Sequence, residues 1–457
     1  PTFTDRFSQK GLSGSLSWLW WFLWIQLAAF LVLPWSLTLF SSLKDNGYGL
    51  SKVIGFISTG LLVWLAVSWN FVNFTKGTCA ICLLALGVLG GWNGYRNRKR
   101  LFQLATAHRK MWFVTELIFI GIFFLVLMLR YMNPDLWDSY NGGEKPMELG
   151  YLTAIGRTSE LPPYDPWFAG GVMNYYYFGW FLLSVPMLTL GILPEVAFQL
   201  GIATFVALAA ISVWTFATNL FAIGRRENSY LLIHPKTPLF FGLFAISIFG
   251  IFGTFDAIRQ HHDRLRSVNS WNSLNDWPII GPVIEFLGGL WAWINGSSIQ
   301  PFDWWGPSRV NTGNFDITEF PFFTFLFGDL HPHLMGLPIF LLVLCLGYTY
   351  MLTCMEGKQR KTRGLAAMIG ATVGVARMTN TWDFPTLALI SILALMVGAY
   401  SYPNVQTLPR KHFLTGEPII WTAFGASTSL SFLVSGGGLE VALCALITSI
   451  DFTAIIC

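Results

Sequence analysis

Long apolar runs, with little amphipathic alternation, dominate the chain. Stretches near 16–40, 51–71, 78–94, 111–131, 174–191, 196–222, 237–255, 334–354, 365–378, 384–400, 417–434 and 437–456 read as candidate spans. A helix needs about 20 apolar residues to cross a bilayer. The 277–295 stretch is marginal, because two Pro, one Glu and several Gly interrupt it. The pattern predicts an all-α polytopic transmembrane helix bundle. Segments 132–173 and 256–333 are dense in Trp, Pro, Gly, Asp and Glu and read as long outer loops carrying short interfacial helices.

Basic residues give an orientation. The cluster of Arg96, Arg98, Lys99, Arg100, Arg109 and Lys110 is the densest in the chain, and the positive-inside rule makes it cytoplasmic. Lys358, Arg360, Lys361 and Arg363 mark a second cytoplasmic loop, and Arg410 with Lys411 a third. Residues 132–173 and 300–333 then lie outside. One conflict stands: two spans between 174 and 222 would place Arg225 and Arg226 outside as well.

Composition closes off other classes. Of 457 residues, 54% are apolar and only 11% charged, against about 25% charged in soluble domains. A soluble enzyme and a disordered chain are excluded, and the continuous runs exclude a β-barrel. The net charge of +4 is accounted for by the positive-inside bias, so membrane lipids and no nucleic acid are the expected partners. All six cysteines lie in or beside apolar runs, and Cys79 with Cys82 form a lone C-x-x-C without the second pair a zinc site would need. A chain that starts at Pro1 and ends at Cys457 within an apolar run reads as a fragment or a processed form.

Candidate chemistry gathers where loops meet spans, where ionisable groups are costly and tend to be paired or functional. The first group follows the 111–131 span: Asp135, Asp138, then Gly142-Gly143-Glu144-Lys145-Pro146-Met147-Glu148. A carboxylate here suits a general base or a metal ligand, and a solvated loop with capping residues is the plainer alternative. The second is Asn174-Tyr175-Tyr176-Tyr177-Phe178-Gly179. Three consecutive tyrosines cannot share one helix face, so they anchor an interface or offer a platform to a sugar or polyprenyl chain. The third runs from Trp305 and Arg309 to Gly328-Asp329-Leu330-His331-Pro332-His333. Asp329, His331 and His333 form a transition-metal or proton-relay set, with helix-capping histidines as the alternative, and Arg309 suits a phosphate. The fourth is Arg377 with Asn380-Thr381-Trp382-Asp383, a phosphate site or a structural ion pair. No nucleotide-binding glycine loop and no hydrolase motif is present.

Together these segments resemble the YYY family of polytopic membrane proteins. The resemblance rests on Leu39-Phe40 through Asn46-Gly47-Tyr48 and Ser51-Lys52, Gly143 to Met147, Asn174 to Gly179, Trp305 to Arg309, Glu319 to Phe323, Gly328 to His333 and Asn380 to Pro385. Where this chain has Glu148 the family usually has Asp, a change that keeps the charge and lengthens the arm.

The family's layout is similar to that of the GT-C glycosyltransferases, which take a sugar from a polyprenyl-phosphate donor at the outer face. By that resemblance, residues 1–110 form an amino-terminal three-span unit with a basic cytoplasmic loop. Residues 111–400 form a GT-C-like core, and 401–457 hold carboxy-terminal spans, an incomplete set. The implied activity is an inverting glycosyl transfer in the cytoplasmic membrane, active face outside. Glu144 would be the base, with Glu148 as its partner. Lys145, Arg309 and Arg377 would hold the phosphate, and Tyr175, Tyr176, Tyr177, Trp305 and Asp383 would contact the substrate. Asp329, His331 and His333 would bind a divalent metal ion or protonate the leaving oxygen. Two other classes fit the same sequence: a structural subunit of a larger membrane assembly built on an inactive fold of this kind, and a lipid or sugar transporter.

Overall fold

The computed structural model describes residues 6–7, 14, 16–138, 142–223, 237–246, 255–269, 271, 280–303, 305–308 and 319–401. Arg309, the proposed spans at 417–434 and 437–456, and the rest of 402–457 lie outside the described residues. Within the described residues the chain forms fourteen α-helices and no β-strand. They are α1 (Ser17–Leu39), α2 (Leu50–Ser68), α3 (Lys76–Arg96), α4 (Arg98–Met132), α5 (Lys145–Arg157), α6 (Phe178–Leu190) and α7 (Pro194–Ile223). There follow α8 (Thr237–Ile246), α9 (Phe255–Arg266), α10 (Gly281–Ile294), α11 (Pro321–Phe327), α12 (Pro332–Met355), α13 (Gln359–Thr379) and α14 (Asp383–Tyr400). Seven of them, α1, α2, α3, α4, α7, α12 and α14, are long and apolar enough to cross a membrane. The chain is an integral membrane protein of the all-α class.

Two compact units make up the chain, one of residues 1–242 with 328–457, the other of residues 243–327. In the first, hydrogen bonds sort the turns between spans into two ends. Lys361 Nζ donates to Ser41 Oγ (2.7 Å), Ser42 Oγ to Glu356 (3.0 Å), and Asn219 Nδ2 to Asp45 Oδ1 (2.8 Å). The α1–α2 turn, the far end of α7 and the α12–α13 turn therefore share one end with the basic residues, the basic end. At the opposite end Phe74 N donates to Ser159 O (2.7 Å) and Gln199 Nε2 to Pro134 O (2.8 Å). That loop end collects α5, the end of α4 and the start of α7.

Two sequence expectations are corrected. The basic segment 96–110 is not a loop: α4 runs unbroken through 35 residues, about 52 Å at 1.5 Å per residue. That exceeds a bilayer core of about 30 Å, so its exposed basic turns extend beyond the apolar part. The 174–191 run does not span either. The first turn of α6 stacks against the loop-end turn of α2 (Phe178 on Trp64, 6.2 Å). Farther along, Phe181 meets Phe74 in the α2–α3 turn (5.0 Å). Gly156 of α5 abuts Met187, near the other terminus of α6. Both termini of α6 thus sit at the loop end, and 174–222 crosses once, through α7. This removes the conflict, because the chain reaches the basic end at Ile223, two positions before Arg225. Mean hydropathy could not reveal this: a thirteen-residue helix buried on all sides by protein is as apolar as one in lipid.

Single cysteines test this topology. Glu160→Cys and Glu195→Cys flank α6 and are exposed in the wild-type chain, so an impermeant thiol reagent should label both from the same face and label Lys99→Cys from the other. Labelling of positions 160 and 195 from opposite faces would show that α6 crosses after all.

Inside the bundle, a buried polar knot joins three spans. Lys52 of α2, 2% exposed, pairs with Glu116 of α4, which also accepts from Tyr48 Oη (2.8 Å) and from Gln26 of α1 (3.1 Å). A charge at this depth is tolerable because Glu116 pairs with Lys52 and is itself held by Tyr48 and Gln26.

The second unit packs α9 against α10, with an Arg266–Glu285 ion pair and a small apolar core of Ala257, Phe302 and Phe322. Trp305 belongs here, 43% exposed, its N–H donating to Asp303 Oδ1 (3.0 Å) in the turn that leads into the short 3-10 helix.

Candidate functional site

Three local signals build the loop-end site. Gly143 takes a left-handed conformation (φ +61°), which turns the chain into α5 and leaves Glu144 exposed at the helix cap. Pro146 sits in the first turn of α5, where a missing N–H costs nothing, and Glu148 follows in that same turn. On the partner segment, Pro332 occupies the first turn of α12 and His331 is extended (φ −65°, ψ 147°), as the residue before a proline should be.

These segments meet across 182 positions of sequence: Leu330 N donates to Glu148 Oε2 at 2.8 Å. His331 Nε2 lies 2.8 Å from Glu144 Oε2, and His331 Nδ1 lies 2.9 Å from His333 Nδ1. A neutral His331 that donates from Nε2 to Glu144 can accept from His333 through Nδ1, so one tautomer serves the whole chain of three groups. Lys145 Nζ is 3.9 Å from Asp329 Oδ1. Asp383 enters from α14 against the first turns of α12, where the absent side chain of Gly336 leaves room for its Oδ2.

Glu144 and Glu148 have opposite environments. Glu144 has a half-exposed side chain, and the bond from His331, with the nearby His331 and His333 rings, holds its carboxyl below the usual range. Glu148 is fully buried. Burial, with Asp329 and Glu144 close by, pushes its carboxyl well up, against the opposing pull of the Leu330 N–H and Lys145. Its Oε1 is buried and has no hydrogen-bond partner. Burial likewise lowers Lys145, which Asp329 partly offsets. Two carboxylates with diverging proton affinities beside an imidazole pair form an arrangement characteristic of acid–base chemistry or metal binding. One ligand atom each from Glu144, Glu148 and His331 lie within 4.8 Å of one another. This set differs from the Asp329, His331 and His333 set expected from spacing: helix α12 starts at Pro332, so the alternation of an extended segment does not reach His333, whose Nδ1 meets His331.

The tyrosines separate. Tyr175 stacks on Tyr176 (4.0 Å between centroids) and on Tyr151 (5.7 Å), and Glu144 lies close enough to help raise the Tyr175 and Tyr151 hydroxyls, chiefly lifted by burial. Tyr177 instead points into the bundle, its hydroxyl accepting from Trp64 Nε1 (3.3 Å). Arg377 lies over the Phe384 ring (5.2 Å). Trp305 is in the other unit and Arg309 outside the described residues.

Residues 58–454 match the family described as uncharacterized membrane protein, DUF2298. The chain belongs to that family. The DUF2298 match begins within α2 and takes in Glu144, Glu148, Asp329, His331, His333 and Asp383. No curated protein and no solved structure matches the chain.

Sequence reasoning passed over Arg130, which is 4% exposed at the end of α4 and packs its guanidinium against Gly328. Gly328 has φ +74°, so no larger residue fits that turn without displacing Arg130. A lone cation in the last turn of an apolar run was the available signal.

Proposed function

We propose that this chain is a membrane glycosyltransferase of the YYY type, with a layout like that of the GT-C enzymes. It takes a sugar from a polyprenyl-phosphate donor at the loop end, which faces outward. The observation that carries the reading is the convergence of Glu144, Glu148 and His331 at that end of the bundle, beside Lys145 and the Tyr151–Tyr175–Tyr176 stack. Glu144, deprotonated at neutral pH and exposed, receives the proton of the acceptor hydroxyl with His331 behind it. The acceptor oxygen bonds to the anomeric carbon as that carbon's bond to the phosphate oxygen breaks. Attack opposite the phosphate inverts the centre, and Lys145 steadies the phosphate that leaves on its lipid.

A divalent cation is the cofactor this donor set fits. A carboxylate oxygen each of Glu144 and Glu148 and a His331 nitrogen would hold it, with a His331 ring nitrogen giving up its hydrogen bond to Glu144 or His333 to do so, and the cation would supply positive charge for the leaving phosphate.

The test is transfer from a radiolabelled polyprenyl-phosphate sugar in proteoliposomes. Wild-type protein should transfer, and His331→Ala should lose most of the activity. Excess divalent metal should restore part of it if the imidazole is a ligand, and none if it is only a relay. No transfer by wild-type protein with any donor would favour the structural-subunit reading.

A further inference from the structure

An apolar groove of about 700 Å³ opens between the loop-end turns of α1, α4 and α7, walled by Trp18, Phe124, Leu127, Met128 and Leu200. Met128 and neighbouring Leu125 and Leu129 are exposed on the same stretch of α4, so the bilayer is what meets this side. The polar edge of the groove is Arg130, Gln199 and Glu195.

Arg130 is the unusual member. Its Nε donates to Gln199 Oε1 (2.7 Å), and Gln199 is itself fixed through Nε2 to Pro134 O (2.8 Å). Its Nη2 is buried and has no hydrogen-bond partner. A guanidinium clamped on one side with a donor left over is preorganised for an anion, and its planar fork suits phosphate oxygens. A buried, unmet donor on a cation is costly to keep, which argues for a ligand that meets it. The Nη1, Cζ and Nε atoms of Arg130 pack on Gly328, and Asp329 and Asp135 act electrostatically on both Arg130 and Lys145. Arg130 therefore links the groove to the loop-end cluster.

We propose that the groove docks one lipid anion, a polyprenyl chain along Phe124, Leu127 and Met128 with its phosphate at the Arg130 guanidinium. The identity of that lipid rests on the transferase reading; the site is tested without transfer. The volume matches the roughly 300–1,000 Å³ of small-molecule sites, enough for the phosphate-proximal isoprene units, with the remaining chain in the bilayer. Glu195 at the same rim disfavours a bare, highly charged anion and can accept from hydroxyl groups, which a lipid-linked sugar supplies.

The experiment is equilibrium binding of radiolabelled polyprenyl monophosphate to the full chain in phosphatidylcholine nanodiscs. The competitors are the polyprenol of equal length and inorganic phosphate. Wild-type protein should bind the lipid phosphate at least about tenfold more tightly than the polyprenol, an energy difference of about 1.4 kcal/mol, and inorganic phosphate should not displace it. Arg130→Gln should erase the tenfold preference. Leu127→Trp, which leaves the guanidinium alone and fills the wall, should abolish binding of both lipids, and it serves where Arg130→Gln fails to insert. Equal wild-type affinity for phosphate and polyprenol, displacement by inorganic phosphate, or unchanged binding in Leu127→Trp would each overturn the proposal. Binding without transfer would remove the transferase and leave the site; transfer without effect of either variant would do the reverse.

Discussion

Glu144→Gln should abolish sugar transfer while leaving insertion and folding intact. The amide keeps the shape of the side chain and can still meet His331, but it cannot take a proton at neutral pH. A positioned base contributes a factor of about 10² to 10⁴, or roughly 3–5 kcal/mol of barrier, so the loss should be of that order in kcat. Glu144 is half exposed, so little packing is lost with its charge. The bond from His331 lowers its carboxyl, which fixes the sign of the pH effect. The base form persists as pH falls, and the acid limb due to Glu144 should lie below the ordinary glutamate value of about 4.3. Unchanged transfer in Glu144→Gln would remove this residue from the mechanism.

Glu148→Gln should weaken divalent-metal binding by at least about tenfold, since even outer partners of metal ligands are worth about 10–100-fold. The amide still accepts from Leu330 N at the position where Glu148 Oε2 does, so the loop should hold its place. The two variants separate because the environments do: Glu144 is exposed and Glu148 fully buried. Burial raises the Glu148 carboxyl, so without metal it keeps its proton to higher pH than a free glutamate, and a cation must displace that proton. Metal affinity should therefore rise with pH in the wild type and lose most of that slope in Glu148→Gln. Mn²⁺ titration followed by paramagnetic resonance on the purified chain reads both effects. A wild-type chain that takes up no Mn²⁺ or Mg²⁺ at neutral pH would leave Glu148 a buried structural carboxyl.

The approximate positions of most spans were legible along the chain because a bilayer imposes one dominant rule, continuous apolar length. The same rule misled at 174–191, where the helix that forms is α6, packed on Trp64, Phe74 and Gly156. Protein and lipid are equally apolar surroundings, and a sequence does not say which one a helix meets. At the site, the carboxylates and histidines declared themselves by standing where polarity is expensive. Their grouping did not: Tyr177 and Tyr175 are two positions apart yet face Trp64 and Tyr151 respectively.

The sequence by itself determined the class, an all-α membrane protein, and the residues that could do chemistry at its loop end, since length, hydropathy and residue type are local quantities. Only the tertiary structure decided that Glu148 meets Leu330 across 182 positions, that Glu144 pairs with His331 and that Arg130, which keeps a buried unmet donor, borders a groove between α1, α4 and α7. The physical reason is that hydrogen bonding and desolvation depend on which side chains are brought within about 3 Å of one another. Distances of that kind are fixed by the packing of separate helices.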